Sequence, residues 1–167
     1  MNTLKTVFIL AICMYGFGIK AQSYGEMQTR FEKKKLESAD SAAFIQSGIQ
    51  KAKTLFEYND VYLQNTANKS NQMYVEQKAP ELFYLGEGDT TDLDVVMTQT
   101  RAIVKRQKGK PVEIKYTEKA GVLGQVTSVD TDPVFQADLV LVQVKKAFGK
   151  TSKKVWQVFL ANPTFLD

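Results

Sequence analysis

The sequence predicts an α+β chain, with amphipathic helices first and an antiparallel four-stranded meander after them. Three observations point there. From Tyr24 to about Asn59, apolar side chains recur at spacings of three, four and seven, the stripe of a helix packed on one side, and a second such face follows at Leu93–Val104 within a helical half that ends near residue 107. From about residue 111 to 161 the pattern changes to alternation and β-branched runs. Turn-forming residues interrupt that second half at short intervals, which suits strands joined by hairpins.

Met1–Ala21 reads as an export signal ahead of a single domain spanning 22–167. Lys5 supplies a short positive end, Val7 to Phe17 is an apolar run short for a bilayer span, and Ile19-Lys20-Ala21 precedes a cut before Gln22. A retained anchor is the rival reading. Cys13 would suit lipidation only with a small residue at Ile12, so lipidation is set aside. The expected location is outside the cytoplasm, periplasmic or secreted, with no integral membrane span after cleavage.

Loss of that segment alters the charge balance. The whole chain has 22 basic and 18 acidic side chains and a net charge of +4. Removing Lys5 and Lys20 takes the 22 to 20 against the same 18, so the remainder is nearly balanced. The basic pI is therefore no argument for nucleic acid as a partner.

Residue types absent from the chain exclude more than those present reveal. There is no histidine, and the one cysteine, Cys13, lies in the leader. A Ser-His-Asp triad, a cysteine nucleophile in the mature chain, a histidine-ligated zinc or iron, a disulfide and an imidazole switch are all excluded. Carboxylate chemistry, a Ser-Lys pair and hard-cation binding through oxygen remain open. No cofactor is expected.

The helical half begins with Tyr24 to about Asn59. Met27, Phe31, Ser38, Ala42, Ile45, Ile49, Ala52 and Phe56 draw the stripe, either as one long helix or as two joined near Ser38. Ser38, Asp40 and Ser41 would cap a second helix. Lys33, Lys34 and Lys35 read as a solvated face rather than as a lipid contact. Val61 to Ala79 is a second packed helix with a polar middle at Asn65, Asn68, Ser70 and Asn71, stopped by Pro80. Asn68-Lys69-Ser70 matches the N-glycosylation triplet, a pattern common by chance.

Phe83 to Thr91 is a loop with Gly86 and Gly88. Glu87, Asp89, Asp92 and Asp94 crowd its end. They are candidates for a cation site (Glu87, Asp89, Asp92) or for acid/base work, weighed against service to the next helix. Thr91 and Asp94 fit a capping box, and acids in a first turn suit the helix dipole. Their spacing is not that of a calcium loop. The following helix presents Leu93, Val96, Met97, Thr100, Ile103 and Val104 on one face, with Lys105, Arg106 and Lys108 at its end and Gly109 as the C′ residue.

In the sheet, Val112, Ile114 and Tyr116 alternate with Glu113, Lys115 and Thr117. Lys119 to Gly121 turn into a strand from Val122 to Val129. Asp130 to Pro133 close it, the Asp side chains capping their own backbone. A third strand starts near Val134, and its centre, Leu139 to Val142, reads as an inner strand covered on both faces. Gly149 to Ser152 turn, and Lys154 to Leu160 form a last strand that Pro163 ends.

Helices laid on a curved meander resemble the layout of cystatin-like and nuclear-transport-factor-like folds. The likeness is one of element order, and no residue roles follow from it.

Three function classes fit. The first is a non-catalytic exported module that binds another protein, as a soluble part of a bacterial envelope or secretion assembly, through open strand edges. The second is a carrier for a small apolar ligand, with Tyr116, Val140, Val142 and Trp156 lining a pocket; Tyr84, Tyr116 and Trp156 are the ligand-binding candidates. The third is a hydrolase using two of Glu87, Asp89, Asp92, Asp94, Asp130 and Asp132. The first is preferred, and no catalytic residue is assigned.

Overall fold

In a computed structural model, helices precede a four-stranded antiparallel sheet of order β1-β2-β3-β4. The structure describes residues 38–65, 67–86, 90–149 and 151–166. The expected signal, the first part of the expected helix (24–37) and the Lys33–Lys35 run lie outside the described residues.

Helix α1 spans Ser38–Gln64. At 1.5 Å per residue it is about 40 Å long. Its buried stripe is Gly48, Ala52, Leu55, Phe56 and Asn59. This is rotated from the expected stripe, since Ala42 is exposed and Ile45 and Ile49 are half-buried. The rotation has a steric cause at Gly48. A Cβ there would lie 2.5 Å from Leu139 Cδ1, so at this approach of helix to sheet any larger residue would force the Leu139 side chain to shift. Further along, the Phe56 ring meets Phe135 edge-on, with centroids 5.6 Å apart.

The polar stretch expected within a second helix is instead the break between two. Asn65 and Asn68 form the turn, and α1 takes Val61 and Tyr62. Helix α2 spans Lys69–Lys78 and is capped by Asn68, whose Oδ1 accepts from the Ser70 amide at 3.1 Å. The asparagine of the glycosylation triplet is thus used as an N-cap, as its poor interior propensity favours. A 3-10 turn, Ala79–Leu82, follows with Pro80 in its first positions. It delivers Leu82 and Phe83 to the core.

Helix α3 spans Leu93–Gln107 and buries Val96, Met97, Thr100, Ile103 and Val104, the face its periodicity predicts. Its cap is Asp92 rather than Thr91: Asp92 Oδ1 accepts from the amides of Asp94 and Val95 at 3.1 and 3.2 Å. At the other end Lys108, at φ 52°, already adopts the left-handed conformation, and Gly109 at φ 81° continues it.

The strands are β1 Glu113–Thr117, β2 Gly124–Val129, β3 Val134–Phe148 and β4 Thr151–Leu166. One sheet face, the inner one, meets α1 and includes Ile114, Val126, Phe135, Ala137, Leu139, Val158 and Leu160. Among the helices, α3 packs mainly on α1. The β2–β3 turn is held by Ser128 and Thr131, whose hydroxyls lie 2.5 Å apart, and by the Phe135 amide donating to Ser128 Oγ at 2.8 Å. The end of α3 also clasps it: Gln107 Nε2 donates to the Asp130 carbonyl at 2.8 Å, and Arg106 pairs with the Asp132 carboxylate at 3.0 Å. These contacts hold the turn where the sequence suggested self-capping by Asp130 and Asp132.

Two strand expectations are corrected. Pro163 does not end β4. A register shift sets Asn162 and Pro163 against Ala137 alone, between the pairs Gln136↔Thr164 and Asp138↔Ala161. Such a bulge removes the proline from the ladder that its missing amide would break, and the strand runs on to seat Phe165 against Phe135. The centre of β3 is also not covered on both faces, since Val140, Leu141 and Val142 are only half-buried. The reason lies in strand length. The β2 pairing ends at Leu139↔Gly124, whereas β3 runs on to Phe148.

Candidate functional site

The residues singled out by sequence do not converge. Tyr116 is on β1, and Trp156 is on β4 opposite Gln143, at opposite edges of the sheet. Three strand spacings separate those edges by ~14 Å, and the six positions between Ala137 and Gln143 on β3 add ~20 Å along the strand. Tyr116 has structural work: its hydroxyl donates to the Leu123 carbonyl at 3.0 Å, and its ring covers the Gly124 backbone so closely that a Cβ there would clash. Tyr84 lies beyond β4, its amide bonded to the Leu160 carbonyl at 2.8 Å and its ring 6.4 Å from that of Phe159. Val140 and Val142 point to the outer sheet face, away from Tyr116 and Trp156.

The acids disperse likewise. Glu87 and Asp89 lie outside the described residues, Asp92 caps α3, and Asp132 holds Arg106. Among the described residues no three of His, Cys, Asp and Glu gather as a metal would require. Two open clefts among the described residues are not lined by those aromatics. One, of about 620 Å³, lies between α1 and the chain entering β1, beside Lys53, Glu57 and Asp60. The other, of about 440 Å³, lies between α2 and α3 beside Glu76, Asp94 and Arg101.

Sequence reasoning passed over two buried polar groups. Asn59 is fully buried, donates to the Leu55 carbonyl at 2.7 Å and accepts from Arg101 Nε at 3.2 Å. The Arg101 guanidinium lies 3.6 Å from the centre of the Tyr62 ring. Asp138, on the outer sheet face, accepts from Lys119 at 2.6 Å, Gln125 at 3.1 Å and Asn162 at 3.2 Å. Burial pushes its carboxyl up. The bonds from Lys119 and Asn162, the Lys119 charge and the Gln125 bond outweigh that, and its pKa lies below the usual carboxylate value. Both groups have their partners, and both read as structural polar cores.

What remains unconsumed is the far end of the β3–β4 hairpin. Past Leu139, among the described residues, β3 pairs with β4 alone, so Val140–Phe148 and Thr151–Phe159 form a two-stranded ribbon. Alternation in an antiparallel ladder fixes which backbone groups of β3 face outward. The Leu139 carbonyl accepts from the Leu123 amide at 2.9 Å, away from β4. Leu141, Gln143 and Lys145 share its parity, so their amides and carbonyls point to the side β2 has vacated. Among the described residues no strand pairs with them there.

The ribbon is also charged in one sense. Lys145 faces Lys154 across the ladder, and Lys146 faces Lys153, one pair on each face. From Leu139 to Leu166 the chain has five lysines and no acid. Directly opposed like charges weaken a strand pair, so the arrangement is not one that stability alone selects. The field is felt on α1. Burial lowers the Lys51 pKa and the Lys146 charge lowers it further, against the opposing pull of Glu81. The signal was readable as two Lys-Lys pairs flanking a turn in a stretch without acids.

No helix among the described residues is long and apolar enough to cross a membrane. Comparison with known protein families, curated proteins and solved structures found no match.

Proposed function

We propose that this chain is an exported, non-catalytic module that binds another protein, as a soluble component of an envelope or secretion assembly, in the periplasm or outside the cell. The observation that supports this most is the edge of β3 beyond Leu139, which no strand among the described residues pairs with. An unpaired edge is ordinarily short, bulged or covered, because it invites another chain. At its root the sheet follows that rule: β1 is a five-residue edge strand with exposed Glu113, Lys115 and Thr117, and β4 is bridged at Leu160 by Phe83 and bulged at Asn162 and Pro163. An inner strand whose neighbour stops half-way is the geometry that strand addition uses. The leader-like Met1–Ala21 and the lack of histidine anywhere in the chain accord with the same reading.

The test is native mass spectrometry of the protein purified gently from its own envelope, wild type beside Gln143→Pro. The substitution removes one outward amide of β3 and leaves the bonds to β4 in place. The expected result is a second polypeptide on the wild type, missing from the variant. A bare monomer in both, or an added mass of roughly a few hundred daltons lost on denaturation, the size of a small apolar ligand, would sink the proposal.

A further inference from the structure

The vacant edge and the lysines lie on the same seven residues, Val140–Lys146, and together they specify a partner. We infer that the β3 edge takes an extended acidic segment of a partner polypeptide, with two adjacent Asp or Glu residues set against Lys145 and Lys146. This rests on the interaction-module reading and sharpens it.

A strand added beside β3 would bond to the outward groups of Leu141, Gln143 and Lys145 over ~20 Å of chain. Its side chains would alternate between the faces in step with those of β3. On the outer face they meet Val142, Val144 and then Lys146, the first two half-buried and the last exposed. On the inner face they meet Leu141, Gln143 and then exposed Lys145. Apolar positions followed by two consecutive acids, one per face, satisfy both rows. Opposite charges facing each other across strands are favourable, and they also relieve the Lys145–Lys154 and Lys146–Lys153 repulsions already in the ribbon. Lys145, Lys146 and Lys154 have no acid partner within the described structure.

An anionic lipid surface is the competing occupant. It would use the lysines, as basic clusters do. It would leave the outward amides and carbonyls of Leu141, Gln143 and Lys145 to water, because headgroups offer no ladder of alternating donors and acceptors to match them. A lipid surface accounts for the charge alone, and an acidic strand accounts for the charge and the edge together.

The experiment selects a displayed library of random ten-residue peptides against the purified protein, and in parallel measures its binding to phosphatidylglycerol vesicles. The expected outcome is enrichment of a short apolar run adjoining two consecutive acids, with the acids after the run for a parallel partner and before it for an antiparallel one. Affinity should fall at least tenfold with Lys145→Glu/Lys146→Glu and return when the acids of the peptide are changed to lysine. Gln143→Pro should lose both kinds of peptide. Thermal melts confirm that the variants stay folded. Enriched peptides without acids, bound equally by the lysine variant but lost with Gln143→Pro, would overturn the acidic partner and leave the interaction module standing. Vesicle binding that depends on the lysines with no peptide enriched, or no binding of either kind, would overturn the proposal.

Discussion

The root and the end of the β3–β4 hairpin share one ladder and little else. At the root, Phe135, Ala137 and Leu139 are buried under α1, and Asp138 is held by three donors on the opposite face. Past Leu139, among the described residues, each of these strands has one strand partner, and beyond buried Val158 the ribbon carries half-buried valines and paired lysines. The root is explained by stability. The end is not, because opposed lysines and an open edge each work against a folded monomer. Features that folding does not account for are where function is best sought, and substitutions in the two regions should behave differently.

The largest contrast is in packing. Phe135→Ala should cost about 3–5 kcal/mol in chemical denaturation, since the ring is fully buried against Phe56 and Phe165. Val144→Ala in the ribbon should cost less than about 1 kcal/mol. Equal costs would erase the distinction.

Asn59→Ala comes next, at about 2–3 kcal/mol, because it opens a void and leaves the Arg101 Nε without its acceptor. Ion pairing alone cannot produce that loss, so it should persist at high salt.

Asp138→Asn should cost about 1–2 kcal/mol at neutral pH and also change the acid limb of the stability curve. The folded-state pKa of Asp138 is lowered. Its contribution is therefore complete above the ordinary carboxylate pKa of about 4 and is lost as pH falls through the lower folded value. Denaturation midpoints measured across that range should fall less steeply for the variant than for the wild type. An identical acid limb would show that Lys119, Gln125 and Asn162 do not favour the charged form.

The smallest effect has the opposite sign. Lys146→Glu should stabilise the free protein by about 0.2–1 kcal/mol, by turning a repulsive cross-strand pair with Lys153 into an attractive one. It should also raise the Lys51 pKa by removing a nearby positive charge. A destabilised variant would mean that the lysines serve the fold.

The parts of the fold legible in sequence were those governed by short-range pattern. The α3 face from Leu93 to Val104 and the Val112–Thr117 alternation repeat within a few residues, so the sequence alone shows which side is buried. The α1 stripe was misplaced because its orientation is decided by Gly48 against Leu139, a contact between residues 91 positions apart. The β4 extension past Pro163 depends on a bulge opposite Ala137, and proline chemistry alone argues for a stop there. For the site, open edges were foreseen in kind, but not which edge. That β2 begins only at Gly124, opposite Leu139, while β3 runs on to Phe148 is a matter of register, which a one-dimensional pattern of apolar residues does not contain. Tyr84, Tyr116 and Trp156 shared only their chemistry, and strand order placed them apart.

Residue-resolved amide hydrogen exchange on the free protein tests the central claim most directly. Leu141, Gln143 and Lys145 should exchange rapidly, while Val142 and Val144, whose amides face β4, should be slower by at least about an order of magnitude. Equal protection across both sets would contradict the account, because the edge would then be occupied in the free chain and could not be the docking element.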